Sequence, residues 1–176
     1  MQKFSPRHGK IMQVAYIVPD LEVAVQAFAV QLNIGGWVIV EKLAAPRMIY
    51  REKPSNLTLA VGLAYQGDMM FEFIQPLSDM PSVYKETNDK SGYGFHHFGI
   101  LVESLEKEIS TYRQRGFDLV CEVTTSAGGQ VGYMDTRGSL PGMLELIEDS
   151  APVREFFQMV WQHQRVLKGR PDIVRV

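Results

Sequence analysis

Cysteine is almost absent from this chain. Cys121 is the single one in 176 residues, so no internal disulfide can form. It lies in the apolar-rich run Phe117-Asp118-Leu119-Val120-Cys121-Glu122-Val123 without a CxxC partner, which reads as a buried structural thiol. A surplus of one charge is also missing. Eighteen Lys and Arg stand against 20 Asp and Glu, and a pI near 6.1 argues against a surface made for nucleic acid or an anionic membrane. Apolar runs are short, and none approaches the roughly 20 residues that span a bilayer. Residues 1–10 are polar and basic with no signal-peptide core, so the expected compartment is the cytoplasm. What remains is an ordinary globular balance, 45% hydrophobic and 22% charged, long enough for a sizeable core without staples.

The most informative thing present is a repeat. Met12-Gln13-Val14-Ala15-Tyr16-Ile17-Val18-Pro19-Asp20-Leu21-Glu22 aligns with His96-His97-Phe98-Gly99-Ile100-Leu101-Val102-Glu103-Ser104-Leu105-Glu106, with Gln13 on His97, Leu21 on Leu105 and Glu22 on Glu106. A second matched pair of strands, Phe71-Glu72-Phe73-Ile74 and Leu144-Glu145-Leu146-Ile147, closes each copy. Two similar halves are expected.

Periodicity fills in the elements. In the first half a strand over 11–18 ends at Pro19-Asp20, and Asp20 can cap a helix whose Leu21, Ala24, Val25, Phe28 and Leu32 share a face before Gly35-Gly36. Strands over 37–43, 57–65 and 69–74 follow, the last two joined by a tight Gln66-Gly67-Asp68 turn. The second half repeats this β-α-β-β-β order: a strand over 96–102, a helix capped by Ser104 with Leu105, Ile109 and Tyr112 on one face, then strands over 119–123, 130–136 and 143–148. The expected organisation is a first module at 11–76, a polar linker at 77–93, a second module at 94–148 and a final helix at 150–168. Pro152 falls in that helix's first turn, and Val153, Phe156, Phe157, Val160, Trp161 and Gln164 mark a face for core or subunit packing, ahead of a short tail at Gly169-Arg170-Pro171.

Alternate side chains of a strand share a face, so a polar residue among apolar ones can point into a cavity. Gln13, Glu72, His97 and Glu145 are four such residues, one from the first and one from the last strand of each half. Singly, each has a plainer reading, a solvated carboxylate or a hydrogen-bonded core histidine. As an equivalent set under one repeat they point to a shared metal site, and an imidazole, two carboxylates and a carboxamide oxygen suit Zn²⁺, Ni²⁺, Co²⁺ or Mn²⁺. His96 is expected on the opposite face in a supporting role, while His8 and His163 are assigned to surface or packing.

Phe71-Glu72-Phe73-Ile74-Gln75-Pro76-Leu77 followed by Gly94-Phe95-His96-His97-Phe98-Gly99 carries a family resemblance. Over about residues 11–148 the chain resembles the vicinal oxygen chelate (glyoxalase/bleomycin resistance/dioxygenase) superfamily, most of all its glyoxalase I and methylmalonyl-CoA epimerase-like branch. The resemblance implies an α+β fold of two paired βαβββ modules, with curled mixed sheets enclosing a metal and substrate cavity, here with an added C-terminal helix. It implies Gln13, Glu72, His97 and Glu145 as ligands of a divalent ion. It also implies a metal-dependent lyase or isomerase that stabilises an enediolate or enolate during proton transfer, with Glu145 first and Glu72 second as the base. Glu41 is a weaker additional base. The implied partner is a small molecule with two vicinal oxygens, a glutathione or CoA thioester being one candidate, for which Arg47, Arg51 and Lys53 could form a basic clamp. A homodimer is the implied assembly. The epimerases usually carry histidine at the Gln13 position and glutamine at the Glu72 position, so the chain departs from them twice. Gln13 in place of histidine also disfavours an iron dioxygenase. The alternative function is a non-catalytic resistance-type protein that sequesters a small aromatic or peptidic ligand.

Overall fold

A computed structural model describes residues 4–126, 128–164, 166–167 and 170–176. The first half comprises β1 (Ile11–Ile17), α1 (Leu21–Gln31), β2 (Trp37–Ala44), β3 (Arg47–Tyr50), β4 (Lys53–Pro54), β5 (Thr58–Gln66) and β6 (Met69–Pro76). Asp20 caps α1 by accepting from the Val23 amide, a contact worth about 1 kcal/mol. Then come α2 (Val83–Ser91), β7 (Gly94–Val102), α3 (Leu105–Gln114), β8 (Asp118–Thr124), β9 (Gln130–Asp135), β10 (Met143–Glu148) and α4 (Ala151–Gln162). The short strands β11 (Val166–Leu167), β12 (Arg170–Pro171) and β13 (Ile173–Arg175) end the described chain.

The described residues form an 11-stranded mixed sheet in the order β13-β2-β5-β6-β1-β7-β10-β9-β8-β3-β4. Its centre is the antiparallel β1–β7 pair, and β6 and β10 lie parallel to β1 and β7 in turn. The four-strand sets β2-β5-β6-β1 and β8-β9-β10-β7 therefore face each other across a pseudo-two-fold, as the repeat implies.

Each sheet face has its own core. On the outer face α1 lays Leu21 and Val25 against Trp37, Ala64 and Phe73, and α3 lays Leu105 and Ile109 against Met134, Leu144 and Leu146. A glycine lies under each helix. A Cβ on Gly62 would come within 3.0 Å of Leu21, and one on Gly132 within 3.3 Å of Leu105, so both helices sit low on the sheet. The inner face carries Leu59, Val61, Leu63, Val131 and Ile147, and α4 packs Val153, Phe157 and Val160 over it. Burial on both faces explains why β5 reads as a continuous apolar run.

Three parts of the structure depart from the sequence reading. The first is the β3–β4 hairpin. Its turn, Arg51-Glu52, has both residues at positive φ (44° and 66°), a conformation that normally selects Asn or Gly and so leaves no turn signal here. The backbone cost is offset by Arg51, whose guanidinium grips Glu86 of α2 at 2.7 Å, while the Tyr50 hydroxyl donates to the same carboxylate at 2.6 Å. β3 pairs with β8, at the far edge of the sheet from β2. Only Ala45 and Pro46 join β2 to β3, a reach of about 11 Å at most. The sheet must therefore curl until its two edges nearly meet, and one chain encloses the interior.

The second departure is α2, which lies inside the segment read as linker. It is capped by Ser82 and buries only Val83 and Tyr84, one turn of apolar signal and too little for a period. The third is the C-terminal region. The helix stops at Gln162, with His163 as its C-cap, where the next positions of the buried face after Val160 fall on the polar His163 and Gln164. Its expected extension to 168 and its stop at Gly169 include residues 165, 168 and 169, which lie outside the described residues. Gln164, expected on the helix face, accepts instead from the Gly67 amide at 3.0 Å. Beyond it β13 adds to β2 in parallel, replacing the expected tail with a strand.

Candidate metal centre and cavity

Four strands deliver the expected residues to the inner face. Gln13 on β1 stands opposite Gly99 on β7, and Gly99 stands opposite Glu145 on β10. One step along, Glu72 on β6 is level with Ala15, and Ala15 with His97. The four side chains thus occupy two adjacent rows, each interrupted by a small residue that leaves room at the centre. Gly99 is the tighter of these gaps. A Cβ there would lie 2.8 Å from the Gln13 Cβ and 2.9 Å from its Oε1.

The side chains meet. The Gln13 Nε2 donates to Glu72 Oε2 at 2.6 Å and lies 3.3 Å from His97 Nε2. That same imidazole nitrogen is 3.3 Å from Glu72 and 3.1 Å from Glu145. His97 is wholly buried, and Gln13 and Glu145 are 2% and 6% exposed. One ligand atom from each of Glu72, His97 and Glu145 lies within 4.8 Å of the others. Burial would depress the His97 imidazolium, but Glu145 and Glu72 outweigh it and push its pKa up to about 9. Burial also raises Glu72, reinforced by the Glu145 charge and opposed by His97 and Gln13.

This donor set fits a divalent ion. Two carboxylates in one dry pocket need a positive charge between them, and without a metal a protonated His97 supplies it. The buried Gln13 Oε1 has no hydrogen-bond partner, and Glu145 Oε2 has none but the ion pair with His97 at 3.1 Å. A half-turn of the Gln13 amide would put its oxygen where Nε2 now faces Glu72 and His97, completing an N,O,O,O set.

His96 is closer to this centre than simple alternation predicts. The β1–β7 register slips between Ala15 opposite His97 and Tyr16 opposite Phe95, leaving His96 as the extra residue of a β-bulge. The bulge swings His96 Nδ1 to 2.8 Å from His97 Nδ1, while His96 Nε2 lies 3.3 Å from the Val83 carbonyl at the start of α2. Burial, with His97 beside it, holds the His96 pKa well below the usual histidine value, so His96 is neutral. Its Nε2–H then donates to Val83 and its Nδ1 accepts from His97 Nδ1–H, which aims His97 Nε2 at the two carboxylates.

The cluster forms the floor of a cavity of about 400 Å³. Two residues unassigned by the sequence reading also stand there, Tyr84 from α2 and Tyr133 from β9, their hydroxyls 2.9 Å apart. Burial, with the Glu72 and Glu145 charges nearby, holds both phenols well above the usual tyrosine range, so they remain protonated donors. Tyr133 is level with Glu145 across the β9–β10 pair and was within reach of the alternation rule. Tyr84 had no such signal. On the far side Pro152, Val153, Phe156 and Phe157 of α4 wall the cavity, so the expected packing face has a second use.

The remaining candidates lie elsewhere. Glu41 is exposed and pairs with Arg175 at 2.9 Å, away from the cavity lining. Arg51 is bound to Glu86, Arg47 and Lys53 are exposed, and none of the three lines the cavity. Cys121 is buried as expected, and its thiol is pushed up to about 12 by that burial. His8 sits at the surface beside Asp149 and Glu103. Among the described residues no helix is long and apolar enough to cross a membrane.

Solved structures share this fold. Methylmalonyl-CoA epimerase from Mycobacterium tuberculosis superposes with a TM-score of 0.58 at 18% identity, over 88% of this chain and 97% of that one. A Streptomyces coelicolor methylmalonyl-CoA epimerase in complex with 2-nitronate-propionyl-CoA gives 0.58 at 13% identity, over 82% and 97%. A hypothetical protein from Bacillus halodurans C-125 gives 0.55 at 20% identity, over 80% and 94%. No curated protein matches the chain. At these identities the likeness is one of fold. A family model described as the Glyoxalase/Bleomycin resistance protein/Dioxygenase superfamily matches residues 12–133, well over half of the sequence, and the chain belongs to that superfamily.

Proposed function

We propose that the protein is a metal-dependent isomerase or lyase of the glyoxalase and epimerase type, acting on a small molecule with two neighbouring oxygens. The observation that carries this reading is the convergence of Gln13, Glu72 and Glu145 at the floor of an otherwise apolar cavity, with the buried His97 against them. These four residues would hold Zn²⁺, Ni²⁺, Co²⁺ or Mn²⁺. When bound, such an ion supplies Lewis-acid stabilisation of the negative charge left as a carbon-bound proton departs.

The chain's own groups divide the remaining work. Glu145 borders the cavity with its Oε2 facing His97 at 3.1 Å, and it takes the proton from a carbon beside a carbonyl and returns it to the same or the neighbouring carbon. Glu72, to which Gln13 donates at 2.6 Å, ranks second. Tyr84 and Tyr133 donate hydrogen bonds to substrate oxygens. The apolar walls and α4 keep bulk water from the reacting carbon.

Metal analysis of protein purified without added metal tests the reading. One ion per chain, lost in His97→Ala, is the expected result. Metal-free protein that binds an aromatic ligand equally well with and without His97 would support the sequestering function instead. Sedimentation of the same sample tests the homodimer that the family resemblance implies.

A further inference from the structure

Among the described residues the cavity has no Lys, Arg or His in its wall, and polar side chains occur at only two places, the floor and Thr125-Ser126. Everything between is hydrocarbon, with Leu57, Leu59 and Leu63 facing Val131, Phe156 and Phe157. Arg51 of the β3–β4 turn is already held by Glu86. At the floor two phenol oxygens stand 2.9 Å apart, close to the spacing of oxygens on adjacent carbons.

We propose that this cavity takes in whole a neutral, largely hydrocarbon carbonyl compound with a hydroxyl on the adjacent carbon, its two oxygens at the Tyr84–Tyr133 floor and its body along the apolar walls. This rests on the proton-transfer reading and narrows it to a substrate class. A glutathione or CoA thioester fits less well. Each brings two peptide-like amides along its arm, and only the Thr125 and Ser126 hydroxyls could meet them. A buried amide left without a partner costs about tenfold or more in affinity. The carboxylates of glutathione and the phosphates of CoA would find no Lys or Arg among the described residues of the cavity wall. A neutral α-hydroxyketone incurs neither cost.

The chemistry balances without a further reactant. The carbinol C–H bond breaks, its proton passes to a carboxylate oxygen, and its electron pair moves onto the carbonyl oxygen. That shift leaves a C=C bond between the two carbons of an enediolate. Return of the proton to the same carbon restores the substrate, and return to the former carbonyl carbon gives the transposed hydroxyketone as the hydroxyl proton passes to the other oxygen.

Calorimetric titration of the metal-loaded full chain with benzoin, S-lactoylglutathione and methylmalonyl-CoA tests the proposal. Benzoin is expected to bind at least tenfold tighter than either thioester. Phe156 is half-buried at the cavity wall, so Phe156→Ala should fold normally by circular dichroism and weaken benzoin about tenfold while leaving metal stoichiometry unchanged. A thioester that binds as tightly as benzoin overturns the proposal, as does a benzoin affinity unaltered in Phe156→Ala. Loss of the carbinol proton signal in D₂O reports proton transfer separately. Benzoin that binds without exchange refutes the proton-transfer reading and leaves the cavity's selectivity standing.

Discussion

Metal binding at the Glu72–His97–Glu145 cluster should strengthen about 80-fold between pH 6.5 and pH 8.5. The perturbation is the proton on His97, whose pKa the two carboxylates push up to about 9 in the metal-free protein. A metal needs the neutral imidazole, so apparent affinity follows the deprotonated fraction. With a pKa of about 9 that fraction rises from about 0.3% to about 24% over this interval, whereas an ordinary histidine near 6.5 would gain only about twofold. The raised Glu72 acts in the same direction, so the slope should be no shallower. Linkage adds a second observable. A histidine whose folded pKa is raised contributes stability in full below its unfolded value near 6.5, and that contribution is lost as pH rises through about 9. The metal-free fold should therefore become less stable across this window while the stabilisation gained from added metal grows. Competition titrations with a chromophoric chelator across the pH range, paired with thermal melts, read both effects. Calorimetry in buffers of different ionisation enthalpy should show about one proton released per ion at pH 7. A twofold change in affinity with no proton release would refute the argument that His97 neutralises the carboxylates in the metal-free state.

His96→Phe should weaken metal binding about 10- to 100-fold by removing the acceptor that orients His97. His96→Asn, which keeps an acceptor near the Nδ1 position, should recover most of that loss, and nitrogen chemical shifts of the His97 ring would report the tautomer directly. Gly99→Ala would drive a methyl to within 2.8 Å of Gln13, and overpacking of that kind costs about 1–3 kcal/mol, measurable by chemical denaturation and accompanied by weaker metal binding. Glu145→Gln should reduce solvent-hydrogen exchange of a substrate by about 10²- to 10⁴-fold, and Glu41→Gln should leave it unchanged, since Glu41 is engaged on the outside with Arg175. Equal losses in both variants would remove Glu145 from its assigned role.

Much of the candidate site was legible in the chain. Gln13, Glu72, His97 and Glu145 stand out because each breaks a run of apolar residues at an equivalent position of the repeat, and strand alternation then sends all four to one face. His96 escaped the same rule because a bulge shifts the alternation by one, and a bulge without glycine or proline leaves no compositional trace. Arg51-Glu52 hides its hairpin for a similar reason, since the turn is held by Glu86, 34 residues away from Glu52 in the chain, rather than by residues that favour it. Tyr84 could not be found because a single buried turn in a polar segment has no period to detect.

The sequence by itself therefore determined what depends on short-range regularity: the duplicated β-α-β-β-β order, the helix caps at Asp20 and Ser104, and the identity of the four polar residues in apolar strands. Those features follow from local periodicity and side-chain chemistry. Only the tertiary structure decided how the halves close around the site. The β2–β3 connection brings the sheet's edges together, Val83 and Tyr84 of α2 reach the candidate metal centre from the segment between the halves, and α4 walls the cavity with hydrocarbon. Each of these depends on contacts between residues far apart in the chain, whose energy is set by the space left after the whole sheet has curled.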